Sequence, residues 1–248
     1  MKSRESRQKI LLAVLLLLPS AAAYVLHWAI FRNAHDIFFY LLMDVAFLFV
    51  QAVMATLVFD QLLNARERQA NRRKLNVAVG VFFSQVGNPL LRVLSAFDSR
   101  GEDICKHLRI DGAWTEAHFA KMQTVLRGHE PAIDAGRGDL ALLKITLERQ
   151  RDFLLRLLEN PNLLEHETLT EMLWSVFHLA DELSHRPSVL SLPSADRIHL
   201  ENDIKRAYDW LVREWLRHMQ HLRATYPYLF SLAVRTNPFD PDARVEVS

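Results

Sequence analysis

The chain has 248 residues, half of them hydrophobic (50%), with a formal net charge of +1. So small a charge excludes a whole-protein field that would draw nucleic acid, and seven glycines are too few for a β-rich or low-complexity chain. The single cysteine, Cys105, excludes an intrachain disulfide and fits a domain facing a reducing compartment.

Residues 1–9 form a basic start, with Lys2, Arg4, Arg7 and Lys9. Residues 10–30 then carry no formal charge, and residues 37–59 carry only Asp44. Each run is long enough for a bilayer core about 30 Å thick, which needs roughly 20 apolar helical residues. The intervening FRNAHD at 31–36 suffices only for a tight turn, so residues 10–59 read as a transmembrane hairpin. Cations set its orientation. They precede the first span and follow the second, as Arg66, Arg68, Arg72, Arg73 and Lys74, while the turn has only Arg32. Both termini are therefore expected in the cytoplasm of a multi-pass inner-membrane protein. A rival reading takes the basic start, Leu11 to Leu18 and the small residues after Pro19 as a cleaved signal peptide. The apolar run continuing through Tyr24, Val25, Leu26 and Trp28 favours the full span.

Polar residues inside spans are costly and draw notice. At 1.5 Å per residue, Asp44 and Tyr24 both lie about 10 Å from the outer edge, on opposite helices of the hairpin, within reach of a shared hydrogen bond. Gln51 is two turns beyond Asp44 on the same face. Helix–helix packing is the favoured role for Tyr24, Asp44 and Gln51. A proton or ion path is the alternative.

Residues 60–76 lack Pro and Gly and are rich in Arg, Gln, Glu and Asn, so the second span is expected to continue as a charged helical neck. Its cations would meet anionic lipid headgroups. No aromatic is interleaved to stack a base, which argues against nucleic acid.

Residues 77–236 read as an all-α cytoplasmic domain. Val79, Phe82, Phe83, Val86, Leu90, Val93, Leu94 and Phe97 recur at helical spacing, with Pro89 kinking that helix or starting another. Residues 98–113 read as a loop with some local structure. A short helix is expected over 115–126, a loop over 128–138, and a helix capped by Asp139 up to Glu159, before Asn160 and Pro161. Another runs from Leu163 or Thr168 to His185. Ser194 is expected to cap a long last helix ending near Thr225. After Pro227, residues 228–234 should pack back on the bundle, and the tail, 237–248, should fray.

Eleven histidines invite a metal reading. The best candidates, His178, Glu182 and His185, share a helix with Glu171, and Glu182 and His185 form one Glu-x-x-His, as a di-iron bundle uses. At 100° per residue these four form a stripe about opposite the apolar face, and no second Glu-x-x-His exists, so a solvated face is expected. On the last helix, His218 lies at the edge of the apolar stripe and Glu214 and His221 lie off it. Cys105 beside His107 does not make a nucleophile–base couple, since adjacent residues point apart. No phosphate-binding glycine loop, Gly-x-Ser-x-Gly or zinc spacing is present. No metal, cofactor or catalytic residue is expected.

The stretches KLNVAVGVFFSQVG at 74–87 and YPYLFSLAVRTNPF at 226–239 resemble bacterial two-span proteins of uncharacterised function. That resemblance implies a bacterial inner membrane and brings no activity with it. The combined reading is a hairpin-anchored, non-enzymatic helical module that binds a partner protein or a second copy. The alternative is a small oligomeric channel or transporter component with Asp44 and Gln51 in its interior.

Overall fold

In the computed structural model, residues 2–32, 34–164 and 166–246 are described. The chain is all-α, and among the described residues the only β feature is an isolated bridge between Asp98 and Ile133. It divides into two compact units, Met1–Arg68 and Gln69–Ser248.

The first unit begins with α1 (Lys2–Phe31), which carries Pro19 inside it. Arg32 follows in the left-handed region (φ 53°), its N–H donating to the Trp28 carbonyl at 2.9 Å to close the helix. The next helix, α2, runs from Ala34 to Phe82. Within it, His35–Gln61 is long and apolar enough to cross a membrane, and the apolar stretch Leu17–Ile30 belongs to α1.

The second unit takes in the C-terminal end of α2. The regular helix stops at Phe82 because residues Phe83–Gly87 form a π-helical turn, after which α3 (Asn88–Ser95) restarts with Pro89 in its first turn. Of the two expected outcomes at Pro89, a kink or a new helix, the structure has a new helix, preceded by a π turn that the sequence reading did not include. The turn keeps Phe83 and Val86 buried beside Phe82. An extra residue in the turn rotates the face that follows, so Leu90, Leu91 and Leu94 all reach the core.

The expected loop at 98–113 contains a helix, α4 (Gly101–His107), so Cys105 is helical. Asp98 organises the approach. Its Oδ1 accepts the N–H groups of Arg100 at 3.1 Å and Ala132 at 3.0 Å, pinning the later loop beneath α4. Next comes α5 (Glu116–Gly128), where Thr115 and His118 form a capping box. In α6 (Leu140–Leu158), Asp139 is the N-cap and accepts the Leu142 N–H at 2.9 Å. A single turn, α7 (Pro161–Leu164), precedes α8 (Glu167–Ser184). The longest helix of this unit is α9 (Ser194–Thr225), whose N-cap is Pro193 rather than Ser194, and α10 (Pro227–Arg235) follows directly.

Apolar residues at 169, 172, 173, 176, 179, 180 and 183 give α8 a continuous buried stripe, which packs on α6 and α9. The π turn and helices α3, α5, α8 and α10 all pack against α9. That surround explains why Glu214 and His218 are buried although only one stripe of α9 is apolar. The C-terminal tail is also not wholly frayed. Asn237 is buried and its side-chain N–H donates to the Leu108 carbonyl at 2.8 Å, while its Oδ1 accepts the Phe239 N–H at 2.9 Å. Phe239 then meets Trp215 edge-on, with ring centroids 4.9 Å apart.

Candidate functional site

Polar groups converge at one place in each unit. In the first, Tyr24 of α1 donates its hydroxyl hydrogen to Asp44 Oδ2 of α2 at 3.2 Å. The surrounding surfaces of both helices are apolar and exposed, with Leu42 at 71% and Phe49 at 68%. A cavity of about 370 Å³ lies alongside, lined by Ser20, Ala23, Tyr24, His27, Ile37 and Tyr40. Gln51 is exposed on α2. Lys74 is exposed too, whereas the side chains of Arg66, Arg68, Arg72 and Arg73 lie outside the described residues.

In the second unit the convergence lies between α8 and α9. His178 and Glu182 are one turn apart on α8, and His199 and Asp203 are one turn apart on α9. Packing of the two helices brings the four together. The Nε2 of His178 lies 3.9 Å from Glu182 Oε1 and 3.5 Å from Asp203 Oδ2. The Nε2 of His199 lies 3.6 Å from Glu182 Oε2 and 3.3 Å from Asp203 Oδ2. On this stripe His178 is exposed, while Glu182 is half-buried where the stripe borders the α9 interface. His185 does not join; it is exposed, with Nδ1 2.8 Å from the Asp181 carbonyl. Glu171 is likewise exposed.

Two guanidiniums hold the carboxylates in place. Arg186 donates to Glu182 Oε2 at 2.7 Å and to both oxygens of Asp196, at 2.6 and 3.0 Å. That contact holds the Glu182 carboxyl below its ordinary range, against the opposing effect of burial. Arg206 donates to Asp203 Oδ1 at 3.2 Å. The other oxygen, Asp203 Oδ2, is buried and accepts no hydrogen bond among the described residues. On its open side the cluster borders a cleft of about 720 Å³, whose walls include Arg127, His129, Lys205 and Arg213.

Two family descriptions match the chain: "Uncharacterized protein MJ1433, C-terminal helical domain" over residues 71–235, and "MJ1433, N-terminal helical domain" over residues 2–63. The chain belongs to the MJ1433 family. It is 40% identical over 236 residues to the Uncharacterized protein MJ1433 of Methanocaldococcus jannaschii, with 95% of each chain covered. No solved structure matches. The MJ1433 relative is archaeal, so the bacterial origin implied by the sequence resemblance has no support from it. The Tyr24–Asp44 pair falls in the N-terminal match of the MJ1433 family and the α8–α9 cluster in the C-terminal one.

Sequence reasoning missed His199 and Asp203. Their signal was available: His-x-x-x-Glu at 178–182 is followed by His-x-x-x-Asp at 199–203, on consecutive helices with a short connection. It also misplaced Cys105, whose thiol is pushed up by burial and by Asp98, and which is therefore protonated and a poor nucleophile at neutral pH.

Proposed function

We propose that this protein is a membrane-anchored helical interaction module: residues 10–59 form a transmembrane hairpin and residues 77–236 a cytoplasmic bundle that binds a partner protein or a second copy. The observation that carries the reading is α2 itself. Its His35–Gln61 segment spans 27 residues, and none of its most apolar 18-residue stretch is buried. At 1.5 Å per residue a segment of this length covers about 40 Å, enough for a bilayer core with some tilt. An exposed apolar surface this extensive marks a membrane or protein contact, and the length of the segment favours the membrane. The Tyr24–Asp44 hydrogen bond supports a packing role for the polar groups, because it satisfies the carboxylate within one pair of helices. The cations at 66–74 would engage anionic headgroups on the cytoplasmic side, at about 1 kcal/mol each.

The test is fractionation and topology together. The full chain should stay with membranes through an alkaline carbonate wash, and reporters fused at the C-terminus should be active only in the cytoplasmic form. Release into the soluble fraction would refute the anchor, and an externally active reporter would refute the orientation.

A further inference from the structure

Four titratable side chains, His178 and Glu182 of α8 with His199 and Asp203 of α9, converge between the two helices. Their nitrogen-to-oxygen separations run from 3.3 to 3.9 Å. Those lengths exceed a good charge-assisted hydrogen bond, about 2.7–2.9 Å. His178 and His199 share Asp203 Oδ2 at 3.5 and 3.3 Å and approach the two different oxygens of Glu182 at 3.9 and 3.6 Å, so the four side chains converge on one space. One donor atom each from His178, Glu182 and His199 already lie within 4.8 Å of one another. Asp203 adds a second observation: its residue is 2% exposed, and Oδ2 lies 3.3 and 3.5 Å from the two imidazole nitrogens while forming no hydrogen bond among the described residues. A buried carboxylate oxygen left this way is costly unless something positive completes it.

The surroundings are built as ligand supports are built. Glu182 and Asp203 each have an oxygen held by an arginine, Arg186 and Arg206, so each carboxylate is oriented. Asp196 is bonded to Arg186 as well, leaving three carboxylates against two guanidiniums around the imidazoles. Two imidazoles with two carboxylates suit zinc, iron(II) or a similar first-row ion, and not magnesium or calcium, which prefer all-oxygen ligands.

We propose that His178, Glu182, His199 and Asp203 form a binding site for a divalent first-row transition-metal ion, which ties α8 to α9 at the edge of the adjoining cleft. The site would stand whether or not the membrane reading does, since all four residues lie in the second unit.

The experiment uses the full chain in detergent micelles, stripped with chelator and titrated with Zn²⁺ by calorimetry and with Co²⁺ by visible absorption. The expected result is one equivalent per chain, with cobalt bands of a four-coordinate nitrogen–oxygen site. His199→Ala should abolish binding, and Asp203→Asn should abolish it while preserving side-chain shape. Arg206→Gln should weaken it by about 10–100-fold, as loss of a ligand-orienting partner does. His185→Ala should leave it unchanged. Circular dichroism checks that each variant folds; if His199→Ala does not, the exposed His178→Ala replaces it. Absence of stoichiometric uptake by the wild type would overturn the proposal. So would undiminished uptake by His178→Ala combined with His199→Ala.

Discussion

His218 should make the helical bundle sensitive to mild acid. The residue sits on α9 with its ring stacked on Phe83 of the π turn, centroids 5.3 Å apart and planes 15° from parallel. Burial, helped by nearby His221, depresses its pKa from 6.5 to about 4. In the unfolded chain the imidazole takes up a proton near pH 6.5, whereas in the fold it stays neutral until about pH 4. Between those values the unfolded state binds more protons, so stability falls as the pH falls. At 1.36 kcal/mol per tenfold change in proton affinity, the neutral-pH contribution is about 3 kcal/mol, present above pH 6.5 and lost on approaching pH 4. Thermal unfolding of wild type and His218→Gln, followed by circular dichroism from pH 7 to 4.5, isolates the effect. The substitution lowers stability at pH 7 by removing the stack, but the variant should then lose about 2–3 kcal/mol less than wild type on acidification. For a chain of this size that is a difference of roughly 5–10 °C in the Tm shift. Equal acid-induced shifts in the two proteins would refute the reasoning.

Substitutions at Gly87, Gly80 and Asp44 probe other elements. Gly87→Ala should destabilise the bundle by about 2 kcal/mol or more, because its Cβ would lie 2.4 Å from Phe83 Cδ1, a ring that is buried against His218; Gly80→Ala, whose Cβ would meet His218 Cε1 at an ordinary 3.6 Å, should be tolerated, and equal unfolding curves for the two would contradict this. In the first unit, Asp44→Asn should retain the helix pairing through an amide hydrogen bond to Tyr24 while Asp44→Leu loosens it, as read by cross-linking between the two helices; ion or proton flux in vesicles that Asp44→Asn abolishes would support the channel alternative instead.

How much of this was legible in the sequence depended on how local each signal was. Asp139 announces α6 because an N-cap bonds only three residues ahead. Pro161 and Pro227 mark helix boundaries for a similarly local reason: each lacks an N–H and fits a first turn. The π turn was not legible, because nothing local in FSQVG requires it and the ring that Phe83 stacks on, His218, lies on another helix. The same holds for the tail, where Asn237 and Phe239 are held by Leu108 and Trp215. Half of the α8–α9 cluster could be read as a stripe on one helix. The other half could not be joined to it without knowing which face of α9 turns toward α8. Periodicity places residues on a face but does not say what a polar face will meet.

The docking of Asn237 onto Leu108 has a consequence for biosynthesis. Those two residues are 129 positions apart in the chain. At a synthesis rate of about 5–20 residues per second, residue 237 is made roughly 6–26 s after residue 108. Throughout that interval the Leu108 carbonyl lacks the Asn237 amide, whereas Trp215, made only 24 residues before Phe239, waits about 1–5 s for the ring that covers it. This seam is therefore among the last contacts of the bundle that synthesis makes available. Until then the aromatic surface of Trp215 that Phe239 covers is open to a chaperone or to a neighbouring chain.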